Sequence, residues 1–342
     1  MDRKSLGRHV IVRPLDAAPW GPVYEAIDTV RQSKVLLHCV QLHDLSPKAA
    51  GEFIERLRGE ASAAARLIHP NIAAVLDSGH DDGTAFLVTQ HVDGESLKAR
   101  LAREGGPMAP ALALALMRDL LAALGHAHGR GLVHQGVRPA NLLLAIGRTR
   151  LTGFGMACIQ MSEATTGAKL GALSVGTRFM SPEQVQGQPL DLRSDVFSAG
   201  VILYEMLTGT RPFDASNPFA VIQRILTDAP PAPTQLVPAL PIELDAVLAK
   251  ALAKDREARF ASVHEFQQAL EGFPLTPRAP APPAVAAPQQ STIALELELE
   301  YWKDIKESEE AEDFVGYLKT FPGGHFAPLA ERRLRKMGQG AA

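Results

Sequence analysis

The chain is poor in the features that would send it out of a cell or into a membrane. Its 342 residues include two cysteines, Cys39 and Cys158. They lie far apart, one of them in an apolar run, which argues against a disulfide framework and fits a reducing compartment. An apolar leader is missing: Met1-Asp2-Arg3-Lys4 runs into a strand-like stretch rather than a signal-peptide core. No run of about 18 apolar residues occurs. The nearest, from Ala109 to Leu124, is interrupted by Arg118 and Asp119 and reads as a buried helix of a soluble protein. A charge excess is missing too. The formal net charge is -3, so nucleic acid is not an expected partner. A cytoplasmic protein without a membrane span is expected. What is present, 46% hydrophobic and 21% charged residues, is the composition of a globular chain. It is large enough for a two-lobed domain with an appendage.

Apolar runs predict strands at 9–12, 23–26, 34–40, 75–79 and 84–90, with Asp81-Asp82-Gly83 as a turn. Phe53, Ile54, Leu57, Ala61, Ala64, Ala65 and Ile68 recur at helical spacing, and a long buried helix is expected over 108–128. His126 and His128 are two apart in it, so they face different ways and make no metal pair. A further apolar helix is expected after Ser194 as its cap, with Asp195 in the first turn and Gly209 just past the end. The Pro/Ala-rich stretch 274–290 reads as an extended linker. Beyond it, Leu295, Leu299, Trp302 and Ile305 form one helical stripe. A second helix ends in the stretch 313–324. Phe326, Leu329, Ala330 and Leu334 mark a third, with basic residues in its last turns. A unit of this size buries little core alone, so it packs on the larger domain, on a partner, or only on itself.

Two stretches carry the chemistry. Leu132-Val133-His134-Gln135-Gly136-Val137-Arg138-Pro139-Ala140-Asn141 is followed, after a short strand pair, by Leu151-Thr152-Gly153-Phe154-Gly155. The spacing His-x6-Asn and then x-Phe-Gly resembles the catalytic and metal loops of protein kinases. Gly176-Thr177-Arg178-Phe179-Met180-Ser181-Pro182-Glu183-Gln184 and the run from Asp191 to Phe213 strengthen the match. Over about residues 9–273 the chain resembles a bacterial (Hanks-type) Ser/Thr protein kinase. The resemblance implies an α+β bilobal fold: a small β-sheet lobe with one main helix at 9–90, over a larger helical lobe at 91–273. The linker at 274–290 and a small helical module at 291–338 complete the expected organisation.

The same resemblance assigns roles, and several positions depart from the pattern. His38 stands in the place of the strand lysine that holds phosphates, Gly136 in that of the catalytic Asp, and Gly153 in that of the metal-binding Asp. Arg138 replaces the lysine two after the catalytic Asp and is able to hold an anion bidentately. Asn141 is a residual metal position. In the phosphate loop Asp16 and Ala18 replace glycines, Pro19 and Pro22 remove donors, and Gly21 remains; a stiffened hairpin is the plainer reading. A nucleotide cleft, if formed, would draw on Gly21, Val23, His38, Glu60, Val92 and Asn141, with Asp93 or Glu95 reaching a ribose. His38 is either a hydrogen-bonded strand residue or the partner of Glu60. Gln135 replaces the Arg that meets a phosphorylated activation segment. That segment, 155–183, carries the hydroxyls of Thr165, Thr166, Ser174 and Thr177, and the sequence leaves open whether another enzyme phosphorylates them. His134, Phe154, Glu183, Asp195 and Arg259 keep structural roles, with Glu183 paired to Arg259 and Asp195 bracing the catalytic loop.

Phosphoryl transfer is mostly positioning and electrostatics. Loss of one oriented acid or base typically costs about a hundredfold in rate. Magnesium needs hard oxygens, of which Asn141 offers one neutral atom. The expectation is therefore a pseudokinase. It would act as a scaffold or allosteric partner of another kinase or signalling protein, through the large lobe or the C-terminal module. It would need no cofactor, with ATP bound, if at all, without magnesium. Two alternatives stand beside it: a nucleotide-binding switch that transfers nothing, and an active Ser/Thr kinase whose acids come from Asp16, Asp77, Asp81 or Asp82.

Overall fold

Six apolar strands build the first sheet. They are β1 (Ser5–Leu6), β2 (His9–Pro14), β3 (Val23–Asp28), β4 (Ser33–Gln41), β5 (Val75–Asp81) and β6 (Thr84–Gln90). All pairs are antiparallel, in the order β1-β2-β3-β4-β6-β5. The computed structural model describes residues 5–15, 21–156, 176–273 and 302–339 apart from 304, 307, 309, 322, 323 and 325. Expectations for Asp16, Ala18, Pro19, Cys158, Thr165, Thr166, Ser174, the 274–290 stretch, Leu295 and Leu299 lie outside these residues.

Alternation sorts β4 into two faces. Val35, Leu37 and Cys39 pack with Leu6, Ala26, Phe86 and Val88 into a small core. His38 points to the other face, in register with Val23 on β3 and Leu87 on β6. Helix α1 (Pro47–Ala64) starts where the Ser46 hydroxyl accepts the Ala49 N–H, and it buries Phe53, Leu57, Ala61 and Ala64. It ends sooner than its apolar spacing suggested. Ile68 lies beyond the last turn and is 86% exposed.

A small sheet, β7 (Glu95–Ser96), β8 (Leu142–Ala145) and β9 (Arg148–Leu151), floors the second lobe in the order β7-β8-β9. Helices α2 (Leu97–Glu104), α3 (Pro110–His128), α4 (Pro182–Val185), α5 (Leu192–Thr208), α6 (Pro218–Thr227), α7 (Pro233–Leu236), α8 (Glu243–Ala251) and α9 (Val263–Leu270) make its body. Among the described residues α3 alone is long and apolar enough to cross a membrane. Its Met117, Leu121 and Leu124 are buried in the lobe's core. Helix α5 is buried almost throughout.

Its start differs from the expected one: Asp191, in extended conformation, caps it by accepting the Arg193 N–H. Ser194 instead lies inside the first turn and donates its hydroxyl to Glu183 at 2.6 Å. Both residue types are good caps, and the buried carboxylate takes the second. Gly209 ends the helix at φ 71, where a Cβ would stand 2.7 Å from the Gly106 carbonyl carbon.

The chain divides into two compact units, Met1–Pro280 and Ala281–Ala342. The second contains α10 (Ala311–Thr320) and α11 (Ala327–Gln339). Phe314, Tyr317, Ala327 and Ala330 are buried there, and the Trp302 ring stacks on Phe326 at 5.2 Å. Leu329, expected inside, is half exposed, because Ala330 takes the inward position.

Candidate active site

The loop between α3 and β8 is held by one carboxylate. Asp195, buried in the first turn of α5, accepts the His134 N–H at 2.8 Å, the Gln135 N–H at 2.9 Å and His128 Nε2–H at 2.8 Å. Those bonds support Gln135 at a left-handed φ of 62, a conformation that costs a non-glycine residue free energy. Gln135 is tied from the other side as well, its carbonyl accepting from Gln184 Nε2 at 2.7 Å. Gln184 also closes a capping box with Ser181 at the start of α4.

His134 uses both ring nitrogens. Nε2–H donates to the Thr152 carbonyl at 2.9 Å, and Nδ1 accepts the Gly136 N–H at 3.1 Å. Burial lowers its pKa, against the pull of Asp195, so the ring stays neutral as this bonding requires. Its edge meets Phe154 at 4.5 Å. Asn141 turns its amide inward, Nδ2 donating to the Gly136 carbonyl at 2.8 Å, while the Asn141 backbone carbonyl accepts the Thr152 N–H at 2.8 Å. Gly136 thus contributes only backbone, and both its polar groups are engaged.

Gly153 sits at φ 97, with the space beside it occupied. A Cβ there would lie 3.0 Å from Asn141 Nδ2 and 3.4 Å from His134 Cε1. Gly155, at φ 75, packs on the backbone of α1, its Cβ position 3.5 Å from the Glu60 carbonyl.

On the small-lobe side, His38 Nε2 bonds to the Thr89 hydroxyl at 3.0 Å across β4 and β6. Burial alone lowers its pKa to about 4. The ring is therefore neutral at pH 7 and bound to Thr89, and the Glu60 pairing considered above is not how it is held. Lys34 pairs with Glu25 at 3.2 Å and does not replace a phosphate-holding lysine. Gly21 has a different reason to be glycine than phosphate binding: a Cβ there would fall 2.2 Å from the Cys39 carbonyl oxygen. Val23 is buried beside it and Val92 half-buried at the hinge. Glu95, a candidate for a ribose, is held by Arg103 through bonds of 2.6 and 2.9 Å. Asp93 is almost fully exposed.

The frame under the site is a buried ion pair. Arg259 Nη1 and Nη2 donate to Glu183 Oε1 and Oε2 at 2.7 and 2.8 Å. Burial works to raise the Glu183 pKa, but Arg259 and the Ser194 hydroxyl outweigh it and hold the carboxyl at about 2. Thr89, Thr152, His128 and Gln184 act in this site, and nothing in the sequence assigns them a role there. Thr89 was traceable only through strand register, because it neighbours His38 across the sheet.

Such a two-lobed fold with this loop is that of the protein kinase family, and the chain belongs to that family: the protein kinase domain model matches residues 19–271. It is 34% identical over 274 residues to a probable serine/threonine-protein kinase of Streptomyces coelicolor, covering 79% of this chain and 40% of that protein. It is 36% identical over 223 residues to serine/threonine-protein kinase PknB of Mycobacterium leprae, covering 64% and 36%. To PrkC of Bacillus subtilis it is 30% identical over 266 residues, covering 78% and 40%. It thus spans about two fifths of these relatives' length. Among solved structures it is similar to the kinase domain of PknI from Mycobacterium tuberculosis. There the TM-score is 0.61 and the identity 30%, over 78% of this chain and 96% of that one.

Proposed function

We propose that this kinase-family chain does not transfer phosphate and works by binding protein partners as a scaffold or allosteric unit. The observation that supports this best is what fills three family positions: a neutral His38 bonded to Thr89, and glycines at 136 and 153. They supply neither a cation for phosphates nor a carboxylate for magnesium or for an incoming hydroxyl. Asn141 adds one neutral oxygen. Magnesium ATP therefore fits these residues poorly.

A binding role draws support from the large lobe. A cavity of roughly 620 Å³ lies between α2, the 138–140 turn and the 209–214 turn. Glu205 lines it with one carboxylate oxygen buried and without a hydrogen-bond partner among the described residues. Burial pushes its pKa up. The deciding experiment is a thermal-shift series with ATP, with and without magnesium and with EDTA, run beside a labelled-phosphate transfer assay. Flat curves and no label above a heat-killed control are expected. An ATP shift indifferent to EDTA would make the chain a nucleotide-binding switch. Incorporated label would make it an active kinase.

A further inference from the structure

The two lobes are joined by more than the hinge. Residues 69–74, which lead from α1 to β5, lie along β9 of the large lobe. Leu151 N–H donates to the Asn71 carbonyl at 2.8 Å, and Ala73 N–H donates to the Leu151 carbonyl at 2.9 Å. The Asn71 amide adds a bond to the Thr149 carbonyl at 2.9 Å, and Ile72 bridges Leu151 in parallel. His69 begins this segment. Its ring lies against the ring of His126 on α3, with centroids 4.9 Å apart and planes tilted by 38°.

We propose that the His69–His126 contact is an acid-sensitive latch that holds the 69–74 segment of the small lobe on the large lobe. The argument starts from hydrogen bonds. His69 Nδ1 accepts the Asn71 N–H at 3.2 Å. His126 Nδ1 faces Arg130 Nη1 at 3.3 Å, and a guanidinium only donates. Both rings are therefore held as the neutral form with hydrogen on Nε2. A proton added at either Nδ1 removes an accepted bond, and two imidazolium rings at this separation repel.

The charged neighbours reinforce this. Arg130, also bonded to the His126 carbonyl at 3.1 Å, opposes charge on both rings. Asp119 favours charge on His69, but its Oδ2 already accepts the Thr149 N–H at 2.6 Å. His126 Nε2 is buried without a hydrogen-bond partner among the described residues. Burial, first, and then these neighbours lower the pKa of both rings.

The sign follows. A ring whose pKa is lowered while latched takes up its proton when released. The latch is therefore whole above the free value of 6.5 and weakens as pH falls below it. Separation of lobes is a motion such proteins use in switching, and this contact makes it respond to acid.

Hydrogen exchange followed by mass spectrometry, corrected for intrinsic rates, tests this on the full chain. Peptides covering 69–74 and 148–151 are expected to lose protection as pH falls from 7 to 5, because the rings bind protons more readily once the segment is released. Peptides from α5 should change far less. His126→Phe keeps an aromatic contact and removes one of the two titrating rings, so the pH dependence of protection there should become shallower while the part carried by His69 remains. Imidazole NMR titration of the unaltered chain is the second reading: His69 and His126 should titrate below the free value. Equal protection of the segment at both pH values overturns the latch. So does a His126→Phe profile as steep as the parent's, or an ordinary titration of both rings.

Discussion

The catalytic-loop frame and the cleft it supports differ in how their polar groups are used. In the frame, Asp195 takes three donors and Glu183 is gripped bidentately by Arg259, all buried. In the cleft, His38 makes one bond to a threonine, and Gly136 and Gly153 contribute only backbone. Buried charge is costly unless fully paired. The frame therefore depends on each of its members, while the cleft carries little that its loss would unbalance. A fold can thus be kept by residues that never touched the chemistry.

Removing one partner of the buried pair should have the largest effect. Arg259→Ala leaves Glu183 charged and unpaired and also frees the Ala253 and Lys254 carbonyls that the guanidinium binds. A loss on the order of 3–5 kcal/mol is expected in denaturant unfolding. A loss below about 1 kcal/mol, the range of exposed pairs, would break the comparison. Asp195→Asn comes next. The amide accepts fewer of the three donors and turns its own NH2 toward one of them. About 2–3 kcal/mol should be lost, and Gln135 should relax from its left-handed φ. Unchanged stability would mean that the loop holds itself.

The frame was the part legible in sequence, and the reason is physical. Glu183, Asp195, Arg259 and His134 are residue types that a buried position tolerates only with particular partners, so their spacing carries the fold. The strands were equally readable, since alternation on β4 sets which residues face inward. The bond of His38 was not, because its partner Thr89 lies on β6, 51 residues away. Nor was the true cap of α5. Asp191 and Ser194 both suit the end of a helix, and only the position of Glu183 decides between them. Gly21 invited a reading as a phosphate-loop remnant, whereas the carbonyl of Cys39 explains it without a ligand.

The pH dependence of the cleft gives a third, smaller test. His38 has its pKa lowered to about 4 by burial, against an ordinary value of 6.5. The unfolded chain binds the proton first, so this contribution is complete above 6.5 and is lost as pH falls toward 4. Discounted for a ring that keeps some solvent contact, the loss is about 1–2 kcal/mol. His38→Phe should flatten that part of the stability–pH curve between pH 6.5 and 4. An identical slope in parent and variant would show that His38 is not held neutral by the fold.

The smallest expected effect sharpens the contrast most. Gly153→Asp places a carboxylate where the family pattern has one. The backbone there has φ 97, and the new Cβ meets Asn141 Nδ2 at 3.0 Å, so Asn141 must give way by a few tenths of an ångström. Strain of this kind costs about 1 kcal/mol, well under the cost of opening the Glu183–Arg259 pair. The carboxylate would still lack a lysine at 38 and an acid at 136. No magnesium-dependent ATP shift is therefore expected from Gly153→Asp alone, measured by thermal shift beside the parent. Should that one substitution confer such a shift, the cleft would have to keep a preformed nucleotide seat, and the contrast between frame and cleft would shrink to a single side chain.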